Sequence, residues 1–141
     1  TAEYDIKVGI HNHPKNSTYW NPDTVLENIK NCSKRVGACA DTGHWLRSGL
    51  DPVACMKKLS GRIVSMHMKD LQKKARQGAH DVPWGTGVAN MEAILAEMKR
   101  QGFKGPVSAE YEHNWLNSVP EITQCVVYFE KQAKRILTKG P

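Results

Sequence analysis

Three features are missing from this 141-residue chain, and each argues against a class of function. No apolar run approaches the roughly 20 residues that a membrane-crossing helix needs. No CxxC pair occurs among the four cysteines, Cys32, Cys39, Cys55 and Cys125. All four sit in apolar patterns and read as buried free thiols, not as a zinc knuckle or a disulfide framework. No dense basic block is present either. The net charge of +6 is spread over Lys57, Lys58, Lys99, Arg100, Lys131, Lys134 and Arg135, near helix ends and on polar faces. Its one local cluster, Lys73 to Gln77, falls in a loop. A nucleic-acid surface would want clustered cations interleaved with aromatics. Neither a nucleic-acid partner nor a membrane is expected. The stretch TAEYDIKVG has no basic region and no apolar signal core, so a soluble protein, cytoplasmic or periplasmic, is the expectation.

What is present is a core and a repeating order. Hydrophobic residues make up 40% of the chain, which suits one folded domain. DIKVGI reads as a strand, and Asn21-Pro22 as a helix cap followed by proline at the first helical position. That helix places Val25, Ile29 and Cys32 on one face. VGACAD (36–41) is the second strand. Asp51-Pro52 repeats the cap and starts a short helix that Gly61 ends. RIVSMHM is the third strand, followed by a long irregular segment, KDLQKKARQGAHDVPWGTG. Asn90 caps the next helix and Gly102 stops it. GPVSAEYE is the fourth strand. SVPE has capping-box spacing and starts a last helix with Ile122, Val126, Phe129, Ala133 and Ile136 on one stripe. Strands alternating with helices imply an α/β fold of four β-α units with parallel strands. Such units fit a small open sheet covered on both faces, or half of an eight-stranded (β/α) barrel.

The chemistry-bearing residues gather at one end of this pattern. The six histidines, His11, His13, His44, His67, His80 and His113, fall at the carboxyl ends of strands or in the loops that follow. So do the four tryptophans, Trp20, Trp45, Trp84 and Trp115, one per loop. In parallel α/β architectures that end carries the active site. His11, Asp41, His67 and Glu110 lie where successive strands would aim them inward. Such a nitrogen and oxygen donor set suits Mn, Co, Zn or Mg, and the lack of a thiolate excludes softer metals. Each residue also has a plainer reading. Asp41 could cap the turn at DTG, His67 could be a hydrogen-bonded core histidine, and Glu110 could pair with Lys69. Together, on successive strands, they favour a metal.

HNHP, DTGHWLRSGLDP, GRIVSMHMKD, DVPWGTG and SAEYE together resemble the C-terminal half, strands five to eight, of the xylose isomerase-like TIM barrels. That family includes sugar isomerases and epimerases, inosose dehydratases and, more distantly, DNA-repair endonucleases. The resemblance implies a single half-barrel segment over residues 1–141. It implies Asp41, His67 and Glu110 as metal ligands, with His11 as the fourth. Glu110 would double as an acid/base. Glu110, His44, His13 and Lys69 are the candidate catalytic groups. Trp20, Trp45, Trp84, Asp81 and Glu112 are the candidate substrate contacts, the indoles as apolar faces for a sugar ring. Lys69 and Asp70 would support ligands or touch substrate, and His80 and Asp81 fall where the endonuclease branch has further zinc ligands.

Two departures from the family pattern shape the expected function. Many isomerases of the family end strand five in glutamate, where this chain reads Gly9-Ile10-His11-Asn12-His13. A two-glutamate proton shuttle is therefore in doubt, although imidazole can also act as a base. Strands one to four are absent, and the open sheet edges favour self-association or pairing with a chain that supplies them. The expected activity is a divalent-metal-dependent sugar isomerase or epimerase acting on a small-molecule sugar. A lyase, dehydratase or hydratase acting on keto-sugars or inositol derivatives is the alternative. A repair nuclease would need more metal ligands and a basic face, and a non-catalytic scaffold is the remaining reading.

Overall fold

A computed structural model of the protein describes residues 3–76 and 78–138. Its strands are β1 (Val8–His11), β2 (Val36–Asp41), β3 (Ile63–Met68), β4 (Asp70–Leu71), β5 (Asp81–Val82) and β6 (Val107–Ala109). Its helices are α1 (Pro22–Ile29), α2 (Thr42–Arg47), α3 (Pro52–Lys58), α4 (Met91–Arg100) and α5 (Val119–Thr138). β1, β2, β3 and β6 form one parallel sheet in that order. Each strand lies beside its predecessor and the order never reverses. With right-handed crossovers, such a sheet carries its helices on one face and has no switch point. This decides between the two architectures left open by the sequence: the sheet is an arc of a (β/α) barrel.

Local chemistry starts the helices where expected. Asn21, Asp51 and Asn90 each accept a hydrogen bond from a backbone N–H three residues on, at Thr24, Ala54 and Ala93. Such caps satisfy donors that the first helical turn leaves unpaired. Gly61 and Gly102 lie at φ +76° and +60°, the left-handed conformation in which glycine ends a helix at least cost. The outward faces of β2 and β3 supply Ala38, Ala40, Met66 and Met68 to a core completed by Leu46, Met56, Leu59, Met91 and Ile94, all buried. Burying each large side chain is worth about 1.5–3 kcal/mol. The small alanines of β2 let the helix layer approach closely.

Four details differ from the sequence-based expectation. α1 ends at Ile29, so Cys32 lies in the following turn and is exposed; only the other three thiols are buried. α2 is an extra helix immediately after β2. The segment expected to be irregular contains the antiparallel pair β4–β5. On α5, Cys125 is fully buried while Val126 is 47% exposed, so its apolar stripe is only partly covered. Among the described residues β1 and β6 pair on one side only, and Tyr4, Ile6 and Val8 at the β1 edge are exposed. No helix among the described residues is long and apolar enough to cross a membrane.

Candidate metal centre

The run Asp41-Thr42-Gly43-His44 builds the centre by local means. Asp41 is the last residue of β2 and the cap of α2, with Oδ1 accepting from His44 N at 2.7 Å. The capping role and the ligand role are compatible, because Oδ2 stays free to face the inner side of the sheet. It lies 3.2 Å from Lys69 Nζ, 3.4 Å from His11 Nε2 and 3.8 Å from His44 Nε2. Thr42 Oγ1 donates to the Lys69 carbonyl at 2.9 Å and accepts from Lys69 N at 2.8 Å, tying the start of α2 to the end of β3. Gly43 leaves room for the lysine stem, since a Cβ there would stand 2.6 Å from Lys69 Cβ. Asn12, also buried, donates through Nδ2 to the Asp41 carbonyl at 3.0 Å and accepts from Asp41 N at 2.7 Å. Its two bonds lock the tip of β1 to the tip of β2.

Around Asp41 the expected ligands converge. His67 Nδ1 faces Glu110 Oε2. The His11 ring lies 4.6 Å from that of His67 and 4.8 Å from that of His13, and His13 stacks on His44 at 4.9 Å. One ligand atom from each of His11, Asp41, His44 and Glu110 falls within 4.8 Å of the others. Of these, His11, Asp41 and Glu110, with His67 set against Glu110, offer nitrogen and oxygen donors of the kind that Mn, Co, Zn or Mg takes.

Lys69 is the buried cation of the centre, with no exposed side-chain surface. It donates to Glu110 Oε1 at 2.8 Å and to Glu112 Oε2 at 2.6 Å. Burial alone would lower its pKa, but Asp41, Glu110 and Glu112 outweigh burial and raise it. Burial likewise pushes Asp41 upward, yet His11, Lys69 and His44 bring it below the ordinary carboxylate value. Both groups therefore stay charged, as a buried pair must to be tolerated. His44 goes the other way. Burial first, then Lys69, Arg47 and His13, pull it down to about 4 against the opposing pull of Asp41. Arg47 Nη1 lies 3.2 Å from His44 Nδ1. A guanidinium only donates, so Nδ1 accepts and the neutral ring carries its proton on Nε2. In that tautomer His44 is a hydrogen-bond donor beside the centre and not a ligand.

The remaining candidates divide. Glu112 bridges Lys69 and Arg47, and its backbone N donates to Asp81 Oδ2 at 2.8 Å. Asp81 is buried, and that burial raises its pKa. Its carboxylate positions Glu112 and Arg47 and does not line an opening. Asp70 spends its two oxygens on the amides of Leu71, Gly85, Gly87 and Ala89, so it organises the DVPWGTG loop. The indoles do not gather round the centre. Trp45 and Trp84 are 1% and 5% exposed and belong to the core. Trp20 lines a cleft with Pro22, Leu50, Ala54 and Cys55 instead of the histidine cluster. An expectation of three aromatic platforms fails because an indole with no polar duty is drawn into apolar packing. His80 stacks on His113 at 4.3 Å, apart from the other four histidines.

A family model, the xylose isomerase-like TIM barrel, matches residues 1–127. The chain belongs to this family. Within it, the rhizopine catabolism protein MocC of Rhizobium meliloti is 29% identical over 155 residues, covering 99% of this chain and 46% of its own length. The inosose dehydratase of Clostridium beijerinckii is 30% identical over 114 residues, covering 70% of this chain and 36% of its own. The crystal structure of a D-tagatose 3-epimerase-like protein superposes with a TM-score of 0.80 at 22% identity, over 98% of this chain and 51% of that one. Two other structures of the same fold, at TM-scores of 0.72 and 0.79 and identities of 20% and 18%, hold zinc and magnesium. The chain spans about half the length, or less, of the relatives it matches, as a half-barrel does.

Two residues of this centre were not singled out from the sequence. Asn12 sits between two histidines at a strand end, where a buried amide can bridge neighbouring strand tips. Arg47 follows His44 by three residues, the spacing that brings side chains together on a helix. That signal becomes readable only once α2 is recognised. Beside them an open cleft of about 410 Å³ is lined by His13, Pro14, Asn16, Ser17, Arg47 and Gly78. It borders the centre through His13 and Arg47.

Proposed function

We propose that this chain carries the metal-binding strand ends of a sugar enzyme that moves a proton next to a carbonyl, with elimination of water as the favoured outcome. The carrying observation is the asymmetry of the arc. Its β6 side ends in a carboxylate, Glu110, and its β1 side in imidazoles, His11 and His13. His11, Asp41, His67 and Glu110 would hold the ion. A bound divalent cation supplies polarisation of a carbonyl and its neighbouring hydroxyl. Glu110 accepts the proton on the carbon beside the carbonyl, and the C–H electron pair becomes a carbon–carbon double bond. The hydroxyl on the next carbon departs with its C–O pair and leaves as water, taking a proton from His13 at the mouth of the cleft. His44 gives its Nε2–H to a substrate oxygen, and Lys69 holds Glu110 and Asp41 in place. The sequence relatedness to an inosose dehydratase supports the same chemistry.

One observation favours a second reading. Aldose–ketose isomerisation needs a single base to carry a proton between adjacent carbons, and Glu110 alone supplies one. The order suggested by family resemblance, isomerase before dehydratase, is reversed here because a carboxylate facing imidazoles is better matched to a base facing an acid. In either case the open edges of β1 and β6 would be covered by a segment supplying the other four strands. The test is incubation of the protein, loaded in separate runs with Zn, Co or Mn, in deuterated water with an inosose and, separately, a ketose. A product lighter by one water supports elimination. Deuterium on carbon with the water retained supports isomerisation. Neither product from metal-saturated protein with completed barrels would remove both readings.

A further inference from the structure

The fold brings a thiol to a centre whose expected donors were nitrogen and oxygen alone. Side chains two apart on a strand share a face, so Cys39 lies on the inner face directly beneath Asp41. The register pairs Cys39 with His11 on one side and Asp41 with His67 on the other. On the β3 side Cys39 itself pairs with Ser65, two residues before His67 on the same strand. One ligand atom from each of His11, Cys39 and His67 falls within 4.8 Å of the others. The neighbours leave the thiol this place: Gly9 faces it, and a Cβ there would stand 3.1 Å from Cys39 Cβ.

We propose that Cys39, as a thiolate, is a ligand of the metal centre together with His11 and His67, so that the site selects zinc or cobalt over manganese and magnesium. The inference rests on the metal-dependent reading above and narrows it. Two imidazoles and one sulfur make a borderline-soft, tetrahedral donor set, with Asp41 beside it for the fourth position or for a hydrogen bond to a ligand. Binding replaces the S–H bond with a metal–sulfur bond, and the proton leaves to solvent. The alternative role is a small apolar residue packed under the site, and the two roles differ in what a metal spectrum reads.

The test is a cobalt titration of the reduced, chelator-stripped chain carrying Cys32→Ala, which removes the one exposed thiol. A near-ultraviolet sulfur-to-cobalt charge-transfer band that saturates at one equivalent, and vanishes in Cys39→Ser while the visible ligand-field bands survive, is the expected result. Visible bands without the charge-transfer band would overturn the thiolate and leave the metal-dependent reading standing. A charge-transfer band that persists in Cys39→Ser would also overturn it. Absence of any cobalt spectrum would overturn both. Because Cys39→Ser could disturb the strand, X-ray absorption on the zinc-loaded parent protein provides a second readout. A sulfur shell at about 2.3 Å supports the ligand, and a shell of nitrogen and oxygen alone refutes it.

Discussion

The two central strands and the two edge strands contribute to the same centre in opposite ways. β2 and β3 deliver Asp41 directly and Lys69 at the turn out of β3, both buried and held by hydrogen bonds to backbone and side chains; His67, also on β3 but 31% exposed, is the exception. β1 and β6 deliver His11 and Glu110, whose side chains are 27% and 26% exposed. The edge groups are placed by the central ones: Asn12 is bonded to Asp41, and Glu110 to Lys69. The centre of the arc thus combines folding and function in the same atoms, while its edges hold function with little structural duty. Substitutions should separate along that line.

The largest effect is expected at Asp41. Asp41→Ala removes the α2 cap and leaves Lys69 without one of its buried counter-charges, and breaking a buried pair costs about 3–5 kcal/mol. Urea unfolding should show that loss, and calorimetric titration with zinc should show weakened binding. An Asp41→Ala protein as stable as the parent would break the comparison, since the central carboxylate would then be as dispensable as an edge group.

A smaller effect belongs to His44, and it depends on pH. In the unfolded chain an imidazole takes its proton near 6.5, whereas burial in the fold lowers His44 to about 4. Between those values the unfolded state binds the extra proton. Stability is therefore complete above about pH 6.5 and declines as pH falls toward 4, by about 3 kcal/mol at most. Denaturant midpoints of chelator-treated protein should follow that window, and His44→Gln should flatten it. Glu97, lowered from 4.5 to about 2 by Arg100, loses its contribution only as pH falls through that more acid window, so the two are distinguishable. A parent midpoint that does not move between pH 6.5 and 4 would place His44 with the exposed groups.

The same contrast explains what could be read from the sequence. Caps such as Asn21-Pro22 and Asp51-Pro52 act within four residues, so the helix starts were legible. VGACAD was legible because burial on both faces leaves a nearly continuous apolar run, and RIVSMHM because β-branched and apolar residues dominate a short run. The metal candidates Asp41, His67 and Glu110 were legible as strand-end positions. α2 was not, because Asp41-Thr42-Gly43 reads equally well as a turn, and only the packing of Trp45 and Leu46 makes it a helix. β4 and β5 pair across nine intervening residues that carry no apolar pattern. The burial of Trp45 and Trp84 depends on the helix layer, which no local window contains. Cys39 was within reach of period-two counting from Asp41, but its apolar setting pointed to the core.

The smallest stability effect, and the sharpest test of the comparison, is at the β6 edge. Glu110→Gln keeps the side-chain volume and one acceptor for Lys69, while Lys69 retains Asp41 and Glu112. Because Glu110 is partly exposed, solvent screens the lost charge, and the change in unfolding free energy should stay within about 1 kcal/mol. Removing a positioned base, by contrast, lowers the rate of proton transfer by about 10²–10⁴-fold, which solvent-deuterium incorporation into the substrate would report. An intact fold with proton transfer lost would assign Glu110 to chemistry and Asp41 to both chemistry and structure. If Glu110→Gln instead unfolds the protein as readily as Asp41→Ala, the edge carries structural load, and its bond to Lys69 is part of what closes the arc.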